Sequence, residues 1–436
     1  MSLSDALGQS SRRDPRRPAL LRGGEILDQA TLAALIDAAA GRLASEAPEG
    51  PLPLDASDPF ALAVGFFAAR RAGRTAVVHA EGVPALLRRE REERLRTLLP
   101  AVSSETVFFS SGSVSRGKAV PLSEEQLLFS ALAYPERTGI SPADRVAVAV
   151  PAGQIFGFLR GIVNSLLVGA QVIFLSPRRD PLGEAEGRGA TFVLLSPAQA
   201  KLSSAAGGAL RLRGALTAGG PMAEAAAGRL ESERSVPIRF GYGLTETAAL
   251  GSRQHFDRPR RPGSSGLPAP GLTIDIVTPD GLPATPGETG EIRISGKSVF
   301  RGYADPREPA PFDARGCLRS GDLGFFDEEG ELHVRGREAA SISAHGRFLC
   351  AEEVEGAVLE KPGVAEAAAV PLGDAFGLLL VAEDSSPAFL AEVREHLARR
   401  LPLFARPRRV ARVEEIPRTS SGKLDRLAAA RCFETS

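Results

Sequence analysis

Thr106-Val-Phe-Phe-Ser-Ser-Gly-Ser-Val-Ser-Arg-Gly-Lys118-Ala-Val120 is the stretch on which the fold of this chain turns. Its first half is β-branched and aromatic, so it predicts a buried strand. Its second half is small, hydroxylated and cationic. Gly112 and Gly117 free the backbone to turn. Ser110, Ser111, Ser113 and Ser115 offer hydroxyls, and Lys118 offers charge. A turn of N–H groups, hydroxyls and one ammonium after a strand is an anion cradle, and phosphate is its natural guest. Gly112 to Lys118 also fits the G-x-x-x-x-G-K spacing of a P-loop. A P-loop needs Ser or Thr next and a helix at once. Here Ala119 and Pro121 follow, and Ser123-Glu-Glu-Gln126 is the better helix start, with the pattern of a capping box.

Outward from this loop, composition narrows the function classes. The 436 residues suffice for more than one domain. The 53 basic and 53 acidic residues cancel, which argues against a nucleic-acid binder. The chain shows neither an 18-residue apolar run nor a signal-type apolar segment, so a membrane span and secretion are not expected. Cys317, Cys350 and Cys432 are scattered, which suits a reducing cytoplasm and no structural zinc. Only five of the 53 basic residues are lysines. In so Arg-rich a chain, Lys118 and Lys423, both in Gly/Ser-rich contexts, mark places where a compact ammonium serves and a planar guanidinium does not.

Periodicity orders the rest. Residues 1–30 carry no strong pattern and read as poorly ordered. Helices are expected over 31–44, 60–71, 86–99, from Ser123, and over 154–168 and 222–230; residues 48–59 read as a loop. Strands are expected at 75–78, 145–150, 171–175, 191–195, 212–217 and 238–240. This alternation implies a parallel sheet covered by helices, with ligands at the carboxyl ends of its strands. The Ser110 loop, Ala218-Gly219-Gly220-Pro221 and Gly241-Tyr242-Gly243-Leu-Thr245-Glu246 all lie there. From about Pro262, Asp280-Gly281 and Glu329-Gly330 turns between short strands predict a β-rich subdomain. After Gly336 a helix at 351–359, strands at 367–370 and 378–382, and a helix at 387–401 predict a small α+β domain. The expected architecture is α/β: an N-terminal domain over 1–336 with αβ-layered parallel sheets and the β-rich subdomain, and a small mobile domain over 337–436.

The motifs in order carry a resemblance. The Ser110–Ala119 loop is similar to the Ser/Thr/Gly-rich loop of the adenylate-forming (AMP-binding) superfamily, acyl- and aryl-CoA synthetase-like. Phe240-Gly-Tyr-Gly-Leu-Thr-Glu246-Thr resembles its Y-G-x-T-E motif, and Ser320-Gly-Asp322 its T-G-D. Gly336-Arg337 through Gly346 to Glu352-Glu-Val-Glu355 resembles its hinge block. Pro417-Arg-Thr-Ser-Ser-Gly-Lys423-Leu-Asp-Arg426 resembles its P-x-T-x-S-G-K tail. The resemblance runs from about Val107 to the C-terminus; the segment ahead of it is short for the family, which implies a trimmed first subdomain.

That resemblance implies an AMP-forming carboxylate ligase using ATP and Mg²⁺. It would pass an acyl group to the thiol of coenzyme A or of carrier-protein phosphopantetheine. Lys423, Thr245 and Glu246 would be catalytic: Lys423 bridging carboxylate and α-phosphate, Thr245 touching the α-phosphate, and Glu246 holding the metal. Ser110, Ser111, Gly112, Ser113 and Lys118 would hold phosphates. Gly219, Gly220, Tyr242 and Gly243 would line the adenine, and Asp322 and Arg337 would reach the ribose. Gln154, Phe158 and Gly241 would contact the acid. Gln154 sits among Ile155, Phe156, Phe158 and Leu159 with no acidic neighbour, so the implied acid is uncharged apart from its carboxylate, aryl or medium-chain. Ala339 and Ser343 depart from the hinge pattern. They keep open an alternative, a non-catalytic nucleotide-binding relative. Partners are then a small carboxylic acid and an optional acyl carrier protein.

Overall fold

The computed structural model describes residues 2–22, 24–46, 50–99, 105–110, 117–134, 138–175, 180–205, 208–220, 222, 224–337, 341–344, 347–372, 375–384, 386–401, 406–417 and 424–433. Its fold is mixed α/β, with a smaller α+β part at the C-terminus.

The opening stretch forms a strand, a loop and a second strand. Glu105–Phe109 pairs antiparallel with Ala119–Ser123, with Phe109 opposite Ala119. The Ser110 N–H donates to the Lys118 carbonyl at 3.0 Å, closing the hairpin at its root. Gly117 has φ +64°, and a Cβ there would meet the Ser110 carbonyl at 3.0 Å, so the position calls for glycine. A second strand stands where a P-loop would place its helix. The helix Glu124–Leu132 starts only after it, under the capping box that Ser123 and Gln126 form.

These two strands join Leu52–Asp55 and Ala76–His79 in a four-stranded sheet, the first three parallel. A second, nine-stranded sheet has at its centre the parallel strands Gln171–Phe174, Arg145–Val148, Phe192–Leu195, Gly214–Thr217 and Ile238–Gly243, in that spatial order. Val193, Leu195, Ala215 and Ile238 pack with Leu182, Ala227 and Leu230 of the covering helices, which is why these strands are largely apolar.

Three segments differ from the expectation. The described residues up to 30 form regular structure: Leu3–Arg13 is a helix capped by Ser2, and Pro18–Arg22 and Glu25–Asp28 close one edge of the large sheet. Leu3, Leu7 and Leu20 are buried, and the Leu3 N–H donates to Glu124 at 2.8 Å. Partners so distant in sequence leave no local signature. Within residues 48–59, Leu52–Asp55 is a strand because the apolar strand Ala76–His79 pairs with it. The helix expected over 154–168 is a π-helix over Phe156–Val163 that continues as α-helix to Val168.

The chain divides into two compact units. The first comprises 1–275, 293–320 and 327–333, and the second 276–292, 321–326 and 334–436. In the second unit the strands Val364–Leu372, Ala375–Ala382 and Arg409–Arg412 form a sheet with a core on each face. Leu378 and Leu380 pack with Val354, Val393 and Leu397, and Leu379 packs with Ile416, Ala429 and Phe433.

One buried ionisable group in the small sheet gives a pH dependence. His79 is 1% exposed and stacks on Phe109 at 5.8 Å. Burial, reinforced by Arg91 and Arg88, pushes its pKa down from 6.5 to about 4, against the opposing pull of the Glu92 carboxylate 3.2 Å from Nε2. The unfolded chain takes up this proton at higher pH than the native one. Stability is therefore full above pH 6.5 and falls as pH drops toward 4. Urea midpoints at pH 7 and pH 5 test this: wild type loses more stability than His79→Leu on acidification, and equal losses would exclude His79 as the cause.

Candidate active site

The strand Ile238–Gly243 leads into a single 3-10 turn, Thr245–Thr247. The chain then reverses through Ala248 and Ala249, with φ of +52° and +56°, a left-handed conformation that costs energy for residues with a Cβ. Three contacts hold it. The Ala249 N–H donates to the Leu244 carbonyl at 2.8 Å, and the Ala248 carbonyl accepts from the Ser130 hydroxyl at 2.8 Å and from Arg160 Nη2 at 3.1 Å. The returning strand Gly251–Arg253 pairs antiparallel with Gly241–Gly243. A Cβ at Gly243 would stand 2.7 Å from the Ala249 backbone, so the reversal needs glycine there.

This turn presents Glu246, whose side chain is fixed from the opposite side. The Tyr303 hydroxyl donates to Glu246 Oε1 at 3.1 Å, and the Phe300 N–H donates to the Glu246 carbonyl at 2.8 Å. Lys118 Nζ lies 4.6 Å from the Tyr303 ring centre and 3.5 Å from Glu308. Lys118 and Glu246 thus share one tyrosine, a cation on its face and a carboxylate at its hydroxyl. Sequence reading missed Tyr303. Its signal was rarity: the chain has three tyrosines, and Tyr303 and Tyr242 both belong to this site.

Thr217 pairs with Phe240, so the loop carrying Gly219 and Gly220 leaves the sheet beside Gly241, Tyr242 and Gly243. Of the phosphate-loop residues, Ser110 and Lys118 flank the hairpin root; Ser111, Gly112 and Ser113 lie outside the described residues, as do Ala339 and Lys423. Gln154 is not placed as expected. It is exposed at the start of its helix, where its carbonyl accepts from the Phe158 N–H at 2.8 Å. Phe158 is fully buried, edge-on to Phe66 at 4.8 Å and 5.3 Å from Phe108, so its ring is core. Gln154 is exposed, so no buried amide there calls for an uncharged acid.

In the second unit, Asp322 sits within a strand and is 4% exposed. Arg337 Nε reaches its Oδ1 at 2.7 Å while remaining largely exposed itself. An ionised carboxylate is acceptor-only, the chemistry that suits hydroxyl donors. For a divalent cation, no cluster of three or more ligating side chains occurs among the described residues. Glu246 offers a hard, partly exposed carboxylate. That fits Mg²⁺, which takes one or two protein carboxylates and leaves its other positions to phosphate and water.

Comparison with known proteins gives the family. Residues 75–304 match the AMP-binding enzyme family and residues 353–423 its C-terminal domain. The first match spans more than half of the chain, and the chain belongs to the AMP-binding enzyme family, the adenylate-forming acyl- and aryl-CoA synthetase group. It is 29% identical to the 2-succinylbenzoate–CoA ligase of Enterococcus faecalis over 74% of this chain and 68% of that one. It is 31% identical to the sulfoacetate–CoA ligase of Cupriavidus necator, over 74% and 65%. It is 30% identical to the indoleacetate–CoA ligase of Aromatoleum aromaticum, over 74% and 67%. The matches thus span about two thirds of those relatives' lengths. In fold it is similar to the o-succinylbenzoate CoA synthetase of Bacillus subtilis, with a TM-score of 0.84 over 97% of each chain at 22% identity. No described helix is long and apolar enough to cross a membrane.

Proposed function

We propose that this chain is an AMP-forming acid–thiol ligase, and that the observation carrying the reading is Glu246, held by Tyr303 at the end of the strand bearing Tyr242. The enzyme joins an aryl or medium-to-long acyl carboxylic acid to the α-phosphate of ATP, releases pyrophosphate, and passes the acyl group to the thiol of coenzyme A or of a carrier-protein phosphopantetheine arm. Bringing a carboxylate to a triphosphate is a problem of positioning and charge neutralisation. Tyr242, Gly219, Gly220 and Gly243 cradle the adenine, and Asp322 and Arg337 take the ribose hydroxyls. Ser110 to Ser113 and Lys118 hold the outer phosphates, and Thr245 contacts the α-phosphate. Glu246 would hold Mg²⁺, which supplies charge neutralisation to the phosphates when bound. Lys423 bridges the two reacting anions. Gly241 faces the acid. The chain from residue 337 onward acts as the small mobile domain, and the enzyme works in the cytoplasm.

Acid-dependent exchange of labelled pyrophosphate into ATP, over a panel of carboxylic acids, tests the first half-reaction. Thioester formation with coenzyme A or a carrier protein tests the second. Asp322→Ala removes a charge-assisted acceptor, so ATP affinity falls about tenfold or more and discrimination between ATP and its deoxyribose analogues shrinks. ATP binding without exchange for any acid would instead mark a non-catalytic nucleotide-binding relative.

A further inference from the structure

Arg253 lies directly opposite Gly241 in the antiparallel pair, so the two positions share one face of the sheet. Its guanidinium fills the space a side chain at Gly241 would take: a Cβ there would stand 2.7 Å from Arg253 Nη2. Arg253 is 6% exposed, and its guanidinium carbon lies 4.4 Å from the Tyr134 ring centre and 5.9 Å from that of Phe156. Among the described residues it makes no ion pair, and its buried Nη1 has no hydrogen-bond partner. The Tyr134 hydroxyl is buried beside it and also has none. Burial raises the pKa of that hydroxyl, so it stays a proton donor.

Arg160 shows that this is not simply how the fold buries arginine. It stacks on the same Tyr134 ring at 4.3 Å, yet its guanidinium donates to Ser130, Asn164 and Ala248. Arg253 has no such set. A buried guanidinium without counter-charge, next to a second unsatisfied donor, is costly unless an acceptor arrives. A cavity of about 10 Å³ bordered by Tyr134, Leu250 and Arg253 has room for one water-sized group.

We propose that Arg253 and the Tyr134 hydroxyl form a subsite for a second anionic group on the acid substrate, a carboxylate or sulfonate remote from the carboxylate that is adenylated. This rests on the ligase reading above and replaces the neutral acid expected from sequence. Arg253 is then the residue that selects dianionic acids, and the missing side chain at Gly241 is what leaves its guanidinium room beside the acid.

Matched pairs test it: phenylacetate against homophthalate, and butyrate against glutarate, compared by kcat/KM in pyrophosphate exchange. Wild type favours the dianionic member of at least one pair by about 10²-fold, the scale of a charge-assisted pair. In Arg253→Met that ratio falls to about threefold or less, chiefly through KM. Arg253→Lys restores part of it, and Tyr134→Phe lowers it about fivefold. Wild-type preference for the monoacids, or a folded Arg253→Met with an unchanged ratio, overturns the subsite. If no acid supports exchange, the ligase reading fails, but calorimetry with homophthalate and glutarate still decides the subsite. Binding lost in Arg253→Met supports it, and equal binding overturns it. Should Arg253→Met fail to fold, the wild-type ratio and Tyr134→Phe carry the same decision.

Discussion

Replacing Lys423 by alanine lowers acyl-adenylate formation by about two to four orders of magnitude, the scale for removing a key electrostatic group. Thioester formation from pre-made acyl-adenylate survives. The asymmetry follows from the proposed chemistry. Adenylation brings a carboxylate against a phosphate, and a single ammonium between them neutralises charge that grows as they approach. The thiol step starts from a neutral mixed anhydride carbon and has no such need. Lys423 lies outside the described residues; the expectation rests on its Ser-Gly-Lys tail and on the scarcity of lysine in a chain that otherwise uses arginine. Lys423→Arg recovers little, because a planar fork does not fit where a compact charge must sit between two anions. Single-turnover measurement of each half-reaction checks this. Wild-type adenylation by Lys423→Ala would remove Lys423 from the site.

Arg160→Ala destabilises the fold by about 2–4 kcal/mol, a large share of the 5–15 kcal/mol typical of a domain. Arg160 is wholly buried, and burial pushes its pKa down to about 9, so it remains charged at neutral pH. Its guanidinium ties three elements together. It donates to the Ser130 carbonyl at 2.8 Å, to Asn164 Oδ1 at 3.2 Å and to the Ala248 carbonyl at 3.1 Å. Removing it opens a cavity and leaves the first two acceptors without this donor; Ala248 retains Ser130. The strained turn at Ala248 and Ala249 loses one of its clamps, so Glu246 is less well positioned and kcat falls beyond what the lost folded fraction explains. Arg160→Lys regains less than half of the stability, since one ammonium cannot span the three acceptors. Denaturant midpoints for the two variants, with activity under strongly folding conditions, separate the effects. A wild-type midpoint for Arg160→Ala would show that the network carries no net stability.

Much of this protein was legible along the chain, where a signal is local. Ser123 and Gln126 lie three residues apart, so their capping box could be read directly, and it is formed. The apolar strands of the large sheet announced themselves because both of their faces are covered. Rejecting a P-loop needed only Ala119 and Pro121, and the antiparallel strand at Ala119–Ser123 is what takes the helix's place. Thr245, Glu246, Asp322 and Arg337 stood out through motif context, although taken alone Asp322 looked like a turn residue and is in fact buried within a strand.

Tertiary structure decided what depends on partners far apart in sequence. The helix Leu3–Arg13 and the strand Pro18–Arg22 are held by Glu124 and the strand Gln171–Phe174, which no window around them contains. Gln154 looked like a buried amide because its neighbours are apolar, but a π-helix turns those neighbours inward and leaves Gln154 in solvent. Tyr303 meets Glu246 only through a contact spanning 57 residues. Arg253 comes to face Gly241 only because two alanines accept left-handed backbone and return the chain antiparallel, in a register that brings the two together. A sequence displays the chemistry each residue can perform and the local periods that make helices and strands. Which side chains converge is set by loop reversals and strand register, whose energetics are shared among residues scattered along the chain.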